Sequence, residues 1–309
     1  MAAAEIREPA VLNIALALDH VGLCARDPAP LWAAWERLGF ALSPVAQQSG
    51  RRRPDGPVEP FGSGNRCAFL RHGYVELLGI LDGALFANGV DRFLDRYAGM
   101  HILALGMDDA EANLARLRRG GLEIPGIAWL QRPVEDGGPI ARFARLPFPD
   151  APEGRVQLVQ HLTPELVWDA RWMGHRNGAD ALESAILVSA EPAGTTARLA
   201  RLAGVPAEPD SLAGFRLRLP GAARAAGPES PQMETRIRVL PPEALGRALP
   251  GVVAPSLPFM AGMVIRTTDK SASARALLRD LPLRESPDGV PGGVMVPPEH
   301  AGGAAVVFA

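Results

Sequence analysis

The amino-acid sequence predicts an α+β fold of four βαβββ units, arranged in two pairs whose mixed sheets curl into cups. Two observations lead to this prediction. The same order of strand and helix patterns occurs four times along the chain, and the first two occurrences share their internal spacings. The length of 309 residues, with 47% apolar and 21% charged residues, also fits about two packed globular domains.

The first unit begins with a strand predicted over residues 18–27. A helix is expected over 31–39, because apolar residues recur there at helical spacing and Gly39 can end the helix. The glycine-rich residues 62–65 are expected to form a hairpin or bulge turn. The remaining strand-like segments of this unit are 40–45, 66–71 and Tyr74–Ile80.

The second unit repeats this order, with a first strand at 100–108 and a helix at Ala110–Arg119. Its later strands are 127–131, 140–146 and Arg155–His161. His20 and His101 each lie seven residues before an aspartate and 19 residues before the glycine that ends the helix. Because both intervals agree, His20 and His101 are interpreted as equivalent positions of a duplicated unit.

Two weaker copies follow a connector at 163–178. The third copy comprises a strand at 185–190, a helix at 195–202 and strands at 214–219 and Thr235–Leu240. The fourth comprises a strand at 262–269, a helix at 272–279 and strands at 293–296 and 304–308. In these copies Ser184 and Gly262 stand at the places of the two histidines. We therefore expect an N-terminal domain over 1–174 and a C-terminal domain over 175–309, with two units in each.

Three side chains at equivalent strand positions predict a metal site in the N-terminal half. His20 and His101 lie on first strands, and Glu76 lies on the last strand of unit one within an otherwise apolar run. A buried carboxylate is normally paired or bound to a metal. Two imidazoles and one carboxylate suit a divalent transition metal such as Fe, Mn, Zn, Ni or Co. The structural alternative is a half-exposed Glu76 paired with Arg66 or Arg71.

The last strand of unit two offers amides and an imidazole, but no carboxylate, at the corresponding place. Gln160 and His161 point to opposite faces of this strand, so at most one of them can join the site. Cys24 shares strand parity with His20, so it either faces the same cavity or is a buried, unreactive thiol.

Several other classes of function have little support in the sequence. The net charge of -2 gives no broad electrostatic argument for nucleic acid or acidic membranes as partners, and neither is expected. Neither a hydrolase nucleophile elbow nor a glycine-rich phosphate loop occurs. The two cysteines lack CxxC spacing, and neither a secretory signal nor a membrane span is recognised, so a cytoplasmic protein is expected.

Tandem βαβββ units with a histidine in the first strand and an acid in the last resemble the vicinal oxygen chelate superfamily. That group includes glyoxalase I, extradiol dioxygenases, methylmalonyl-CoA epimerase and bleomycin-resistance proteins. The segments that look like a bacterial glyoxalase-like domain are 18–27, 62–66, 74–79, 160–168 and 175–179. The resemblance implies a cup-shaped sheet with a metal held by His20, Glu76 and His101. The fourth family position, usually Glu, falls on either Gln160 or Gln157.

The resemblance implies a metal-dependent lyase, isomerase or dioxygenase that acts on a small molecule through two vicinal oxygens. Glu76 and Gln160 are the predicted catalytic residues, and the predicted substrate-binding residues are Cys24, Asn65, Gln160 and His161. The alternatives are a metal-free protein that sequesters a small molecule and a scaffold with a filled cup. The C-terminal half is expected to be a lid, a structural partner or the surface of a homodimer.

Overall fold

The computed structural model describes residues 14–52, 56–135, 138–149, 151–221, 233–285 and 289–309. It contains four successive βαβββ units, as the sequence predicts. The first unit comprises β1 (Ala17–Ala25), α1 (Pro28–Arg37), β2 (Ala46–Arg51), β3 (Val58–Phe69) and β4 (Tyr74–Ile80). After the short helix α2 (Val90–Leu94), the second unit comprises β5 (Gly99–Gly106), α3 (Ala110–Arg119), β6 (Ala128–Pro133), β7 (Ile140–Phe148) and β8 (Arg155–His161).

The C-terminal half repeats this order. The third unit comprises β9 (Ala179–Val188), α4 (Pro192–Ala203), β10 (Ala207–Pro209), β11 (Phe215–Leu219) and β12 (Thr235–Leu240). The short helix α5 (Leu245–Ala248) connects it to the fourth unit. That unit comprises β13 (Phe259–Thr267), α6 (Ala272–Leu277), β14 (Arg284–Glu285), β15 (Val294–Val296) and β16 (Ala305–Phe308).

The first strand of each unit occupies the centre of the sheet. It pairs in parallel with the last strand of its own unit, as β1 does with β4 and β5 with β8. It also pairs antiparallel with the first strand of the neighbouring unit, joining β1 to β5 and β9 to β13. The α+β class and the arrangement of four units in two pairs are therefore confirmed.

The two halves share one apolar core on the helix side of their sheets. This core contains residues of all four units, among them Trp35, Leu103, Leu187 and Phe308. The Trp35 indole also donates a hydrogen bond of 3.1 Å to the carbonyl of Ala301 in the fourth unit. Such a shared core binds the halves together by burial of apolar surface. The expected domain boundary after residue 174 stays a prediction.

Two local predictions were wrong. Residues 40–45 form no strand, because Ala41 N donates to His175 and the Ser43 carbonyl accepts from Arg66, so these backbone groups bind side chains. Residues 62–65 are not a turn but lie inside β3. A Cβ at Gly62 would lie 2.2 Å from the carbonyl oxygen of Asp82, so the glycine permits close backbone approach.

None of the helices in the described part of the chain is long and apolar enough to cross a membrane.

Candidate functional site

Strand register determines which residues of the two N-terminal units are equivalent. His20 pairs with Ala104 and Gly22 pairs with Ile102 across the antiparallel β1–β5 pair. When unit one is superimposed on unit two, the pair His20–Ala104 becomes the pair Ile102–Gly22. Ile102 is therefore the counterpart of His20, and Ala104 is the counterpart of Gly22. His101 is skipped by a register shift in β5, as Asp19 is skipped in β1. His101 is therefore the counterpart of Asp19, one residue away from the position that the matching sequence intervals indicate.

The same register identifies the counterparts of Glu76. Glu76 pairs with Gly22 on the neighbouring strand, and Gln157 pairs with Ala104, the counterpart of Gly22. The four positions on the floor of the N-terminal cup are therefore His20, Ile102, Glu76 and Gln157. Of the two alternatives left open by the sequence, the register selects Gln157 over Gln160.

The C-terminal half has the corresponding pattern. Ser184 pairs with Val264 and Ile186 pairs with Gly262, which confirms Ser184 and Gly262 as the counterparts of His20. The counterparts of Glu76 are Arg238, which pairs with Ile186, and Val307, which pairs with Val264.

Glu76 lies nearly buried at 8% exposure, with one carboxylate oxygen held by amides. The Asn65 amide donates to Oε1, and the Gln48 amide donates to the same oxygen at 3.5 Å. Gln48 is in turn held by the Ser63 hydroxyl at 2.7 Å and the Asn88 amide at 3.1 Å. No described protein group bonds to the second oxygen, Oε2. This arrangement fixes the carboxylate while leaving one oxygen available in the cup.

His20 shares the Asp19 carboxylate with His161. His20 Nδ1 lies 2.8 Å from Asp19 Oδ1, and His161 Nε2 lies 3.1 Å from both Asp19 oxygens. The β-bulge at Asp19 allows adjacent residues 19 and 20 to reach the same cluster, although successive strand residues ordinarily face opposite sides. The His20 ring also stacks on Tyr74 at 4.4 Å between centroids.

Burial raises the pKa of the Tyr74 phenol, and the Asp19 carboxylate raises it further. Tyr74 is therefore neutral and packs as an aromatic ring beside His20.

His101 lies in an aromatic stack at the end of the cup that faces the C-terminal half. Its ring lies between Tyr97 and Phe93, with centroid distances of 3.9 and 5.3 Å. Its Nε2 is 2.8 Å from the Tyr97 carbonyl oxygen, and within the described ranges its buried Nδ1 has no hydrogen-bond partner. Burial lowers the pKa of His101 to about 4, so the ring is neutral near pH 7.

The wall opposite Glu76 is formed by strands of unit two and carries arginines. Along β7, Phe143, Arg145 and Pro147 are half-buried and alternate with buried residues, so they line the cup. Arg145 donates from Nη1 to Gln157 at 3.2 Å, and none of the described residues provides an acceptor for its buried Nε. Arg155 donates to the Asn88 carbonyl at 2.5 Å.

Two predicted substrate-binding residues have other contacts. Gln160 accepts a hydrogen bond of 3.0 Å from Ala110 N and donates to the Asp108 carbonyl, so it caps the N-terminus of α3. Cys24 is completely buried with Leu78 and Ile102, and burial raises the pKa of its thiol to about 12. Its burial leaves Cys24 no surface for a ligand.

A protein-family model described as "Glyoxalase-like domain" matches residues 18–203. The chain belongs to this family. Together with its structural neighbours, this membership identifies the protein as a member of the vicinal oxygen chelate superfamily. Among curated proteins, no sequence matches the chain.

Three solved structures share the fold over most of their length. A hypothetical protein from Staphylococcus aureus has a TM-score of 0.61 and 12% identity, covering 95% of this chain and 99% of that one. The Mn(II)-bound glyoxalase from Novosphingobium aromaticivorans has a TM-score of 0.54 and 13% identity, with coverages of 96% and 82%. A mutant 4-hydroxymandelate synthase from Streptomyces coelicolor has a TM-score of 0.52 and 13% identity, with coverages of 87% and 76%. At these identities the likeness concerns the fold alone.

The donors of this glyoxalase-like cup do not fit a transition-metal site. First-row metals are normally held by three or four histidine, cysteine or carboxylate ligands. The four floor positions provide one imidazole, one carboxylate, one amide and one alkyl group. Among the described residues, no three His, Cys, Asp or Glu side chains are arranged to hold a metal ion. The structure therefore does not bring His20, Glu76 and His101 together as one ligand set.

Sequence reasoning missed two residues of this glyoxalase-like site, Asp19 and Arg145. Asp19 is a carboxylate within an apolar strand, the same signal that identified Glu76. Arg145 could have been found from the alternation along 140–148, which places it on one face with Phe143.

Proposed function

We propose that this protein is an enzyme that removes and returns a proton at a carbon next to a carbonyl group of a small substrate. The N-terminal cup holds the substrate, and Glu76 is the base. The observation that carries the proposal is the Glu76 carboxylate, with Oε1 held by amides and Oε2 left without a partner among the described residues. A carboxylate fixed in this way is oriented for proton transfer before the substrate arrives.

Proton removal breaks the C–H bond, and its electron pair moves into the carbonyl to give an enolate. The negative charge that develops on the oxygen needs donors that are already in place. The wall of unit two supplies such donors, because Arg145 and Gln157 lie on adjacent cup-facing strands and bond to each other. Glu76 then holds the proton at its free oxygen until it is returned to the carbon.

His20 is the second acid–base group that we propose for this site. Its Nδ1 is fixed by Asp19, so that the other ring nitrogen, Nε2, is the one available in the cup. In such an arrangement the carboxylate holds the orientation and tautomer of the imidazole. Asp19 is accordingly a positioning residue.

The proposal needs no resident transition metal, because positive charge comes from arginine. A metal-dependent enzyme, as the sequence predicts, is the competing form of the same reaction. A further alternative is a protein that binds its ligand in the cup without turnover.

The test is proton exchange in D₂O, followed by ¹H NMR as loss of the C–H signal next to the carbonyl. The substrates are pyruvate, 2-oxobutyrate, phenylpyruvate, methylglyoxal and dihydroxyacetone. We expect the wild type to accelerate exchange of at least one compound, and Glu76→Gln to slow it by about 100-fold or more. The control is Glu59→Gln, which changes a carboxylate near the outer end of β3.

Equal rates for the wild type and Glu76→Gln would overturn the proposal. Ligand-induced stabilisation of the wild type by one of these compounds, without exchange, would favour the alternative of binding without turnover.

A further inference from the structure

The described arginines of the N-terminal cup differ from those of the C-terminal half in lacking carboxylate partners. In the C-terminal sheet, Arg216 and Arg218 both bind Glu208, at 3.2 and 2.7 Å. Arg236 binds Glu234 at 3.0 Å, and Arg238 binds Asp210 at 2.8 Å. Charges in that sheet are therefore neutralised by the protein itself.

In the part of the chain that the structure describes, Arg145 has no such partner. There its guanidinium makes one hydrogen bond, from Nη1 to the neutral amide of Gln157, and its Nε is buried without an acceptor. A buried donor without an acceptor is destabilising, so such groups in folded proteins are normally satisfied by a ligand, an ion or water.

A second guanidinium adds like charge near Arg145, because Arg155 is the cup-facing residue next to Gln157 on β8, and Gln157 is the hydrogen-bond partner of Arg145. Burial is the main cause that lowers the pKa of Arg145 to about 10; the positive charge of Arg155 also lowers it, whereas Glu76 acts in the opposite sense. Arg155 is held in this place by the Asn88 carbonyl and by the Phe93 ring, which lies 5.4 Å from its guanidinium carbon. Neither contact neutralises its charge.

Arg132 is the third arginine on this wall. It pairs with Ala141 of β7 and is half-buried, while its neighbours Gln131 and Pro133 are exposed, so its side chain is on the face that lines the cup. Its positive charge lowers the pKa of the buried Cys67 thiol and of the Tyr74 phenol, against the larger effect of burial. Ala141 lies four residues before Arg145 on β7, so Arg132 is further along the wall than Arg145. In the described part of the chain, Arg132 has no carboxylate within 4.0 Å.

We propose that Arg145 and Arg155 form a carboxylate-binding subsite, so that the substrate of this cup is a small carboxylic acid. The inference rests on the proposed function, since it names the chemical class of the substrate of that same site. Guanidinium N–H pairs match the geometry of a carboxylate, which can accept two parallel hydrogen bonds. A bound carboxylate would satisfy the unpartnered Nε of Arg145 and offset the repulsion between Arg145 and Arg155.

The probe for this subsite is oxalate, compared with oxamide, which has a similar planar shape without charge. Binding is measured by isothermal titration calorimetry on protein dialysed against EDTA, so that oxalate cannot bind through a trace metal. We expect oxalate to bind at least 10-fold more tightly than oxamide. Arg145→Gln and Arg155→Gln should each weaken oxalate binding by about 10-fold or more.

The matched control is Arg142→Gln, because Arg142 lies on the same strand as Arg145 but is exposed on the opposite face. This variant should bind oxalate like the wild type. Thermal unfolding of each variant shows whether the protein is folded, and the half-buried Arg155 serves as the test if Arg145→Gln does not fold.

Equal affinity for oxalate and oxamide, or unchanged oxalate affinity in both arginine variants, would overturn the carboxylate subsite. The two proposals can fail separately. Proton exchange of methylglyoxal or dihydroxyacetone alone, without oxalate binding, would leave the proton-transfer proposal standing and refute the subsite. Arginine-dependent oxalate binding without any proton exchange would leave the carboxylate subsite standing and refute the proton-transfer proposal.

Discussion

The two halves of this protein build the same curled sheet but fill it differently. The second sheet encloses an apolar cluster, in which α5 and the residues after it pack Leu245, Leu249 and Val252 against strand residues such as Ile186 and Val307. The N-terminal cup instead carries His20, Glu76 and Gln157 on its floor and arginines along one wall. A repeated scaffold therefore separates stability from function: one copy has a filled interior, and the other has the side chains that can bind and react.

The sharpest contrast between the halves is between Glu76 and its counterpart Arg238. Glu76→Gln should reduce proton exchange by about 100-fold or more, with a change in the free energy of unfolding of about 1 kcal/mol or less. Arg238→Gln should leave exchange unchanged but destabilise the protein by about 3–5 kcal/mol, because Asp210 would stay buried without its ion-pair partner. Exchange rates and urea unfolding of both variants check this. A loss of exchange in folded Arg238→Gln would contradict the division of roles.

The filled interior of the C-terminal half predicts a large packing effect. Leu249→Ala removes a completely buried side chain and should lower the free energy of unfolding by about 2–5 kcal/mol. Gln48→Ala in the N-terminal cup should cost only about 1 kcal/mol, because Gln48 is only part-buried. Urea unfolding monitored by tryptophan fluorescence measures both. If Gln48→Ala were the more damaging change, the N-terminal cup would be the packed one.

The border between the two halves contains a pH-sensitive group, since the His101 ring stacks on Tyr97, which belongs to the C-terminal apolar cluster. Burial lowers the pKa of His101 to about 4, from 6.5 in an exposed chain. Between these values the unfolded chain binds a proton that the folded protein excludes, so stability falls as the pH decreases through this range. At pH 5 the loss from this group is about 2 kcal/mol relative to pH 7.5.

His101→Phe retains an aromatic ring and removes the titration. The free energy of unfolding, measured in urea at pH 7.5 and pH 5, should therefore decrease less in this variant than in the wild type, by about 2 kcal/mol. Exchange activity at pH 7.5 should not change, because His101 does not reach the floor of the cup. An equal loss of stability in both proteins would show that the imidazole is not excluded from protonation.

The smallest expected effect concerns Gln160, which the sequence placed in the substrate site and the structure places at the N-terminus of α3. Gln160→Ala should reduce stability by about 1 kcal/mol through loss of this helix cap and should leave proton exchange unchanged. Thermal unfolding and the exchange assay separate the two roles. A large loss of proton exchange with unchanged stability would show that Gln160 acts in the substrate site.

Long-range repetition made most of the fold predictable from sequence. The four units, the positions of His20 and Glu76 and their counterparts Ser184 and Gly262 all follow from spacing and strand patterns. The exchange of His101 for Ile102 arose from matching Asp27 with Asp108 and Gly39 with Gly120. In the structure the helix N-caps are Asp27 and Asp109, and the glycines with positive φ after the two helices are Gly39 and Gly121. Because Asp108 and Asp109 are adjacent identical residues, as are Gly120 and Gly121, the spacing fits both alignments, and only strand pairing decides between them.

The same limit applies to the last strand of unit two. Gln157 and Gln160 are both compatible with the sequence, and only pairing with β5 determines which one lies beside the cup floor. The arginine wall was missed for another reason: on its own strand Arg145 resembles any solvent-facing arginine, and its lack of a carboxylate partner is a property of the assembled fold.

The measurement that tests the central claim most directly is proton exchange by protein freed of metal with EDTA and checked by elemental analysis. The charges that serve the reaction come from Glu76 and the arginine wall, so we predict that metal-free protein keeps the full exchange rate and that added Mn²⁺ does not raise it. Loss of exchange on metal removal, with recovery on addition of Mn²⁺, would contradict the account and show that the cup assembles a metal site when the ion is present.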